Sequence, residues 1–279
     1  MGGTITSALR TAQSGLLANQ SALDAVANNI ANVSTDGYSR KKVNMEAIVV
    51  NGQGAGVQVA ELTRAIDEGL LKSLRQENGT YEQYNSQSSY YDRLQDLFGS
   101  PEENTSLRHN ISAPGEATQS QAPSPTQTID QSELIHRASD LLVKLQDMST
   151  TIQELRQQTD VQIADTVTEI NAIAQTLGNL NDEIVANSSS GHDVSDLRDQ
   201  RDQKLDELSS LIDIRYFYRS DGDVVVFTSA GRTLVDNVPA TLTHDAVSSL
   251  TPTSTHAEGD IGGIYVGTAI AGNDITNDI

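Results

Sequence analysis

The first 33 positions repeat with a period of seven: Leu9, Leu16, Leu23 and Ile30 form one half of a seam, and Ile5, Ala12, Asn19, Val26 and Val33 the other. This heptad stripe predicts one helix over residues 4–33 whose seam calls for a facing helix, and the first hundred residues offer no obvious one. A lone helix in water is held mainly by packing of its apolar face. The segment is therefore expected to be loose in a free monomer and ordered in an assembly. Ser34-Thr35-Asp36-Gly37 ends the helix, with Gly37 suited to a positive φ.

Beyond that stop, Val43, Met45, Ala47 and Val49 alternate with polar residues, and Asn51 to Gly56 turns the chain into Val57-Gln58-Val59, a small hairpin excursion. Helical spacing returns from Thr63 to Phe98. Residues 100–128 are rich in Ser, Pro, Gln and Thr and are expected to form a linker, with room for one helical turn over Thr105–Ile111. A second long helix follows from about Asp130 to Ala186, its seam set by Leu134, Leu141, Met148 and Leu155 and resuming at Ile163, Ile170, Leu177 and Ile184. Asn187 to His192 breaks it, and Asp193 or Ser195 can cap a further helix that folds back through Leu197, Leu205, Leu208 and Ile212. The period then changes to two: Ile214–Tyr218, a turn at Asp221-Gly222, Val224–Thr228 and Thr233–Val235 predict three strands, with another at Ile264–Val266.

The expected fold class is mainly α: a long antiparallel helical bundle or coiled coil with a small extended hairpin excursion and a partial C-terminal β domain. Expected domain boundaries are 1–60 for the N-terminal helix and excursion, 61–212 for a helical rod domain, and 213–279 for the start of a β domain.

Composition narrows the function. Eighteen Lys and Arg against 38 Asp and Glu give a formal charge of -20, a surface that repels a phosphate backbone, so no nucleic acid is expected as a partner. The absence of Cys excludes disulfides and thiolate metal sites. The N-terminus has no cationic block followed by an apolar one, so no cleavable secretory signal is expected, and no stretch is apolar enough for membrane insertion.

Candidate chemistry is sparse. His109, His136, His192, His244 and His256 are scattered singly and are expected at the surface. Asp193, Asp196, Asp199 and Asp202 recur at spacing three and could gather oxygen ligands for a hard cation. Arg198, Arg201 and Lys204 are interleaved among them, so a solvated or inter-helix charged face is the preferred reading. Gly52 to Gly56 lacks the Lys-Ser/Thr of a phosphate loop and is read as a turn. Tyr81, Tyr84, Tyr90 and Tyr91 are read as packing residues of a helix. No nucleophile, base and orienting acid can be assembled, so neither catalysis nor a cofactor is expected.

The run from Ser14 to Arg40, which contains Asn28, Asn29, Asn32, Gly37, Tyr38 and Arg40, closely resembles the signature shared by axial proteins of the bacterial flagellum, rod, hook and junction proteins alike. Tyr38-Ser39-Arg40 and the run Leu197 to Leu208, with Asp199, Gln200, Arg201 and Asp202 at its centre, resemble the hook-associated protein 1 family more specifically, as does Gly56 to Val59 with Arg64 and Asp67. The resemblance implies a structural subunit exported without a cleaved signal and built into a ring of its own copies between hook and filament, outside the cell. It also implies the hook protein and a second junction protein as neighbours, and leaves room for an export chaperone. In that family the N-terminal helix pairs with a C-terminal helix in the axial core, which implies Ile5, Leu9, Ala12, Leu16, Asn19, Leu23, Val26, Ile30 and Val33 as the assembly interface. Against the family pattern, the sequence is expected to be a truncated fragment or an incomplete gene product, since Ile279 falls inside what the resemblance implies as the first β domain, and Arg108 to Pro125 is Pro- and Gln-rich where the family usually has helix. Two other readings stay open: a hook or rod subunit, and a secreted coiled-coil effector or adhesin with a β tip.

Overall fold

The computed structural model describes residues 2–100, 102, 105–255 and 263–267. In chain order the elements are α1 (Gly2–Ala31), β1 (Lys41–Val50), β2 (Gln53–Arg64), α2 (Glu68–Phe98), α3 (Leu107–Gln121), α4 (Thr128–Ser189), α5 (Ser195–Leu211), β3 (Ile214–Tyr218), β4 (Val224–Thr228), β5 (Thr233–Val235), β6 (Leu242–Thr243) and β7 (Tyr265–Val266). The fold is mainly α with small antiparallel sheets, as the hydrophobic periods predict. The chain divides into two compact units, one of Met1–Gly79 with Ile170–Thr241, the other of Thr80–Glu169 with Leu242–Asn277.

In the first unit β1 and β2 pair through Val43↔Leu62, Met45↔Val59 and Ala47↔Val57. Asn51 and Gly52 close the hairpin with φ of 53° and 76°, the pair of positive values that matches a tight turn to strand twist. The hairpin packs on α1. Thr11, Ser14, Ala18, Ala25 and Asn29 lie at helical spacing on one face of α1; Ala18 and Ala25 are buried there, and Ser14 Oγ accepts from the Val57 N–H at 3.1 Å. The hairpin gives α1 a contact on a face other than the heptad seam, and the seam itself stays without a partner among the described residues. Small and polar residues make that contact, so hydrophobicity did not reveal it.

The core of this unit gathers Ile170, Leu177 and Ile184 of α4, Leu205 and Leu208 of α5, and Val224, Val225, Val226, Leu234 and Val235 of the sheet β3-β4-β5, all fully buried. Burial of such side chains contributes about 1.5–3 kcal/mol each. Asn181 of α4 ties the helix to the strand, donating to the Val224 carbonyl at 2.9 Å and accepting from the Val224 N–H at 3.1 Å. Asp193 accepts from the Ser195 N–H at 3.0 Å just before α5.

The second unit holds the remainders of α2 and α4, α3, and the pair β6–β7. Arg93 donates to Gln158 at 2.7 Å, and Tyr90 to Gln162, linking α2 to α4. Met148, Leu155, Val167, Ala113 and Ala117 are its buried apolar residues on the helices. Where the composition predicts a linker over 100–128, the chain forms α3. Ser106 caps it, its Oγ accepting from the His109 N–H at 3.2 Å, and Ala113 and Ala117, four apart, bury one face although Pro114 sits within. Helix α2 also starts later than the expected Thr63, because β2 runs on to Arg64 and Asp67 accepts from the Leu70 N–H at 3.0 Å. Tyr81, Tyr84 and Tyr91 are exposed rather than packed. His244 is not at the surface: its side chain is 1% exposed and bonded to Asp160. His256 lies outside the described residues.

Candidate assembly interface

The face of α1 that the hairpin leaves open carries the seam. Ile5, Leu9, Leu16, Leu23, Val26, Ile30 and Val33 are between 51% and 81% exposed, and Ala12 and Asn19 are exposed with them. A row of large apolar side chains at heptad spacing is the surface one helix offers another, and single exposed residues of this kind need no explanation whereas a continuous row does.

The polar stop that follows is held by Asn29. Its amide donates to the Lys41 carbonyl at 2.9 Å, its oxygen accepts from the Lys41 N–H at 2.8 Å, and Tyr38 donates to the same oxygen at 3.0 Å. Only a side chain with both a donor and an acceptor satisfies both backbone groups of Lys41. Asn32 donates back to the Asn28 carbonyl at 3.0 Å and accepts from Thr35 at 3.2 Å, closing the end of α1. Gly37 follows with φ of 74°, and the space where its Cβ would stand is filled by the side chain of Gln203.

That contact joins the two sequence motifs, which lie some 160 residues apart. Gln203 donates to the Asp36 carbonyl, the Ser39 N–H donates to Asp199 Oδ2 at 3.1 Å, and Lys41, itself buried, pairs with the exposed Asp196. Arg64 at the end of β2 donates from Nη1 to Asp199 Oδ1 at 2.9 Å and to Asp202 Oδ2 at 2.6 Å. About two turns of α5, from Asp196 to Gln203, therefore receive the hairpin, and the bonds of Arg64 to Asp199 and Asp202 are charge-assisted bonds among buried groups, the strong class of hydrogen bond. The carboxylates at spacing three are accounted for this way: Asp193 accepts at the start of α5, and Asp196, Asp199 and Asp202 meet cations. Among the described residues no group of three or more acidic or histidine side chains is placed to hold a metal ion.

Asp202 also faces the other side of α5. Its Oδ1 accepts from the Tyr218 hydroxyl at 3.0 Å, while Arg75 of α2 donates to its carbonyl at 3.1 Å, to Asp206 at 2.6 Å and to the Tyr216 hydroxyl at 2.7 Å. Burial disfavours the Arg75 charge, but the hydrogen bond and charge of Asp206 outweigh it and raise its pKa; Asp202 and Asp199 do the same for Arg64. Burial pushes the Tyr218 phenol up to about 12, with the Asp202 charge adding to it, and raises Tyr216 as well. Arg201 is lowered by burial; its guanidinium lies 4.6 Å from the centre of the Tyr218 ring and donates to the Gly222 carbonyl.

The structure thus brings Asn29, Gly37, Tyr38, Asp199 and Asp202 into one joint and places Arg201 behind it. Gln200 and Arg40 point outward, with the Arg40 carbonyl accepting from the Ala65 N–H at 2.8 Å. Sequence reasoning passed over Arg75, Asp206, Tyr216 and Tyr218. Arg75 stands among Lys72 and Glu77 in a polar stretch that reads as solvated surface, and only the run of three aromatics at Tyr216-Phe217-Tyr218 hinted at a buried partner.

The model of the flagellar hook-associated protein FlgK helical domain matches residues 91–273, and that of the flagella basal body rod protein matches residues 9–38. Flagellar hook-associated protein 1 of Salmonella typhimurium is 28% identical over 262 residues, covering 90% of this chain and 46% of that protein. The protein of the same name from Bacillus subtilis is 24% identical over 240 residues, covering 82% and 47%. The chain spans about half the length of the curated relatives it matches. Among solved structures, the flagellar hook junction protein FlgK from Burkholderia pseudomallei superposes with a TM-score of 0.57 at 25% identity, over 75% of this chain and 35% of that one.

Proposed function

The chain belongs to the family of flagellar hook-associated protein FlgK, and on that premise we propose that it is a structural subunit of the bacterial flagellum, seated at the junction of hook and filament. The observation that carries the reading is the open seam of α1: six large apolar residues face outward on a helix whose other contact face is already occupied by the hairpin, and Val33 continues the row in the turn just past its end. Exposed apolar area on that scale is stabilised when a helix from an assembly covers it. Ile5, Leu9, Ala12, Leu16, Asn19, Leu23, Val26, Ile30 and Val33 are the contact residues in this reading. Asn28, Asn29, Asn32, Gly37, Tyr38 and Arg40 end the helix and start the hairpin, and Asp199, Gln200, Arg201 and Asp202 belong to the helix that receives it.

In this reading function lies in surfaces, with no catalytic step and no cofactor. The partners are further copies in a ring, the hook protein and the second junction protein; the chain travels through the flagellar export route to the cell exterior, with an export chaperone as an added partner. The test is deletion of the encoding gene in a motile bacterium, followed by electron microscopy. Hooks without filaments, with flagellin shed into the medium, are expected. Missing hooks would indicate a rod or hook subunit instead, and intact filaments a secreted effector or adhesin.

A further inference from the structure

Helix α1 is almost without charge in a chain of formal net charge -20: between Gly2 and Ala31 it carries one cation, Arg10, and one anion, Asp24, both exposed. They stand two heptads apart and so take the same place beside the seam, one residue after Leu9 and one after Leu23. Leu17 holds that place midway between them and is 56% exposed. The edge of the seam therefore reads cation, leucine, anion at even steps of about 10 Å. The hairpin packs on the far side of the helix, against Ala18 and Ala25, and leaves this face clear.

Such a face is complementary to itself when turned end for end. In an antiparallel pair the two halves of a heptad seam meet, and the register of longest overlap sets Ile5 against Ile30, Leu9 against Val26, and so on to the centre, where Leu16 lies against Asn19. The two Asn19 side chains flank the midpoint, about 4.5 Å apart along the helices. Their amides, each both donor and acceptor, can satisfy one another there. The same register sets Leu17 level with its own copy, and Arg10 level with Asp24 of the second copy at both ends of the pair. Other arrangements lack this match. Parallel copies in register set Arg10 beside Arg10 and Asp24 beside Asp24, and parallel copies staggered by two heptads make one pair of opposite charges instead of two and leave nearly half of each seam bare.

We propose that α1 is a self-complementary docking face through which two copies of the chain pair antiparallel before assembly. The pair uses the seam that carries the junction reading, but it is not the ring contact. An isologous pair is closed by its own two-fold axis and admits no third copy, whereas a ring needs contacts that continue from subunit to subunit. The pair is a resting form that covers the apolar row, and it parts before the seam meets the axial structure. Ala12 weakens it by its size and Asn19 by its polarity, so a dilute chain is single and a concentrated one paired.

The test is sedimentation equilibrium at low salt on the 279-residue chain over a range of concentrations, in the parent, in R10D and in R10D/D24R. The parent is expected to pass from monomer to dimer and no further. R10D sets like charges together at both ends and is expected to weaken the dimer roughly ten-fold or more, while R10D/D24R restores both pairs in reverse and is expected to return within about three-fold of the parent. Parallel copies in register would exchange one like-charged neighbour for another in R10D and lose nothing. A chain that stays monomeric or grows beyond a dimer would overturn the proposal. So would an R10D variant that pairs as well as the parent, or a double variant that pairs no better than R10D. None of these results touches the junction reading, which is decided by the filaments of the gene deletion.

Discussion

The side chain of Gln203 occupies the place where a Cβ on Gly37 would stand, across 166 positions of sequence. Gly37 and Gly52 have nearly the same φ, 74° and 76°, but nothing lies within 4 Å of a Cβ built on Gly52. Alanine at either position carries the backbone cost of the left-handed region, about 1 kcal/mol. Only Gly37→Ala must also displace Gln203 and its bond to the Asp36 carbonyl. Gly37→Ala is therefore expected to be more destabilising than Gly52→Ala by about 1 kcal/mol or more in urea denaturation. Equal losses would show that Gln203 moves aside freely.

Arg64 is the cation that two buried carboxylates share. Arg64→Ala leaves Asp199 and Asp202 facing each other without it, and removal of one member of a buried pair typically costs about 3–5 kcal/mol. Substituting all three, R64M with D199N and D202N, removes the charges together and is expected to cost markedly less than R64A alone. Denaturant midpoints of the two variants decide it, and a triple variant as unstable as R64A would contradict the view that unpaired charge is the source of the loss.

The pH dependence runs through Tyr218. Its phenol moves from an ordinary 10.0 to about 12 on folding because burial, and then Asp202, oppose its ionisation. A raised folded value means that the neutral form is favoured in the native state, so this contribution is complete below about pH 10 and is lost as pH rises toward about 12. At full size it amounts to on the order of 2 kcal/mol. Stability measured between about pH 9 and about pH 12 is expected to fall more gently in Tyr218→Phe than in the parent, with part of the slope remaining because Tyr216 is raised too. Superposable slopes would remove Tyr218 from the explanation.

Much of this fold was legible because hydrophobic period survives wherever an element has one apolar face. The heptads of α1, the seam of α4 and the two-residue alternation of β3 and β4 all declared themselves. What stayed hidden was packing by small and polar residues. Helix α3 buries Ala113 and Ala117 and is started by a serine, in a stretch whose prolines and glutamines read as linker. The joint was half legible: both motifs stood out by resemblance, but that Arg64 and Gln203 bring them together is a property of the folded chain. His244 gave no sign at all, since its partner Asp160 lies 84 positions away.

The helix seam separates assembly from folding in a way that a single substitution can test. Leu16 is 70% exposed, so Leu16→Asp places a charge where the isolated chain has water and where an assembled seam has none. Introduced into the encoding gene, the variant is expected to be made and exported, and the purified chain to keep the helical content and unfolding temperature of the parent. Electron microscopy is expected to show hooks lacking filaments. Filaments of normal number and length on cells carrying Leu16→Asp would contradict the assignment of this face to the junction.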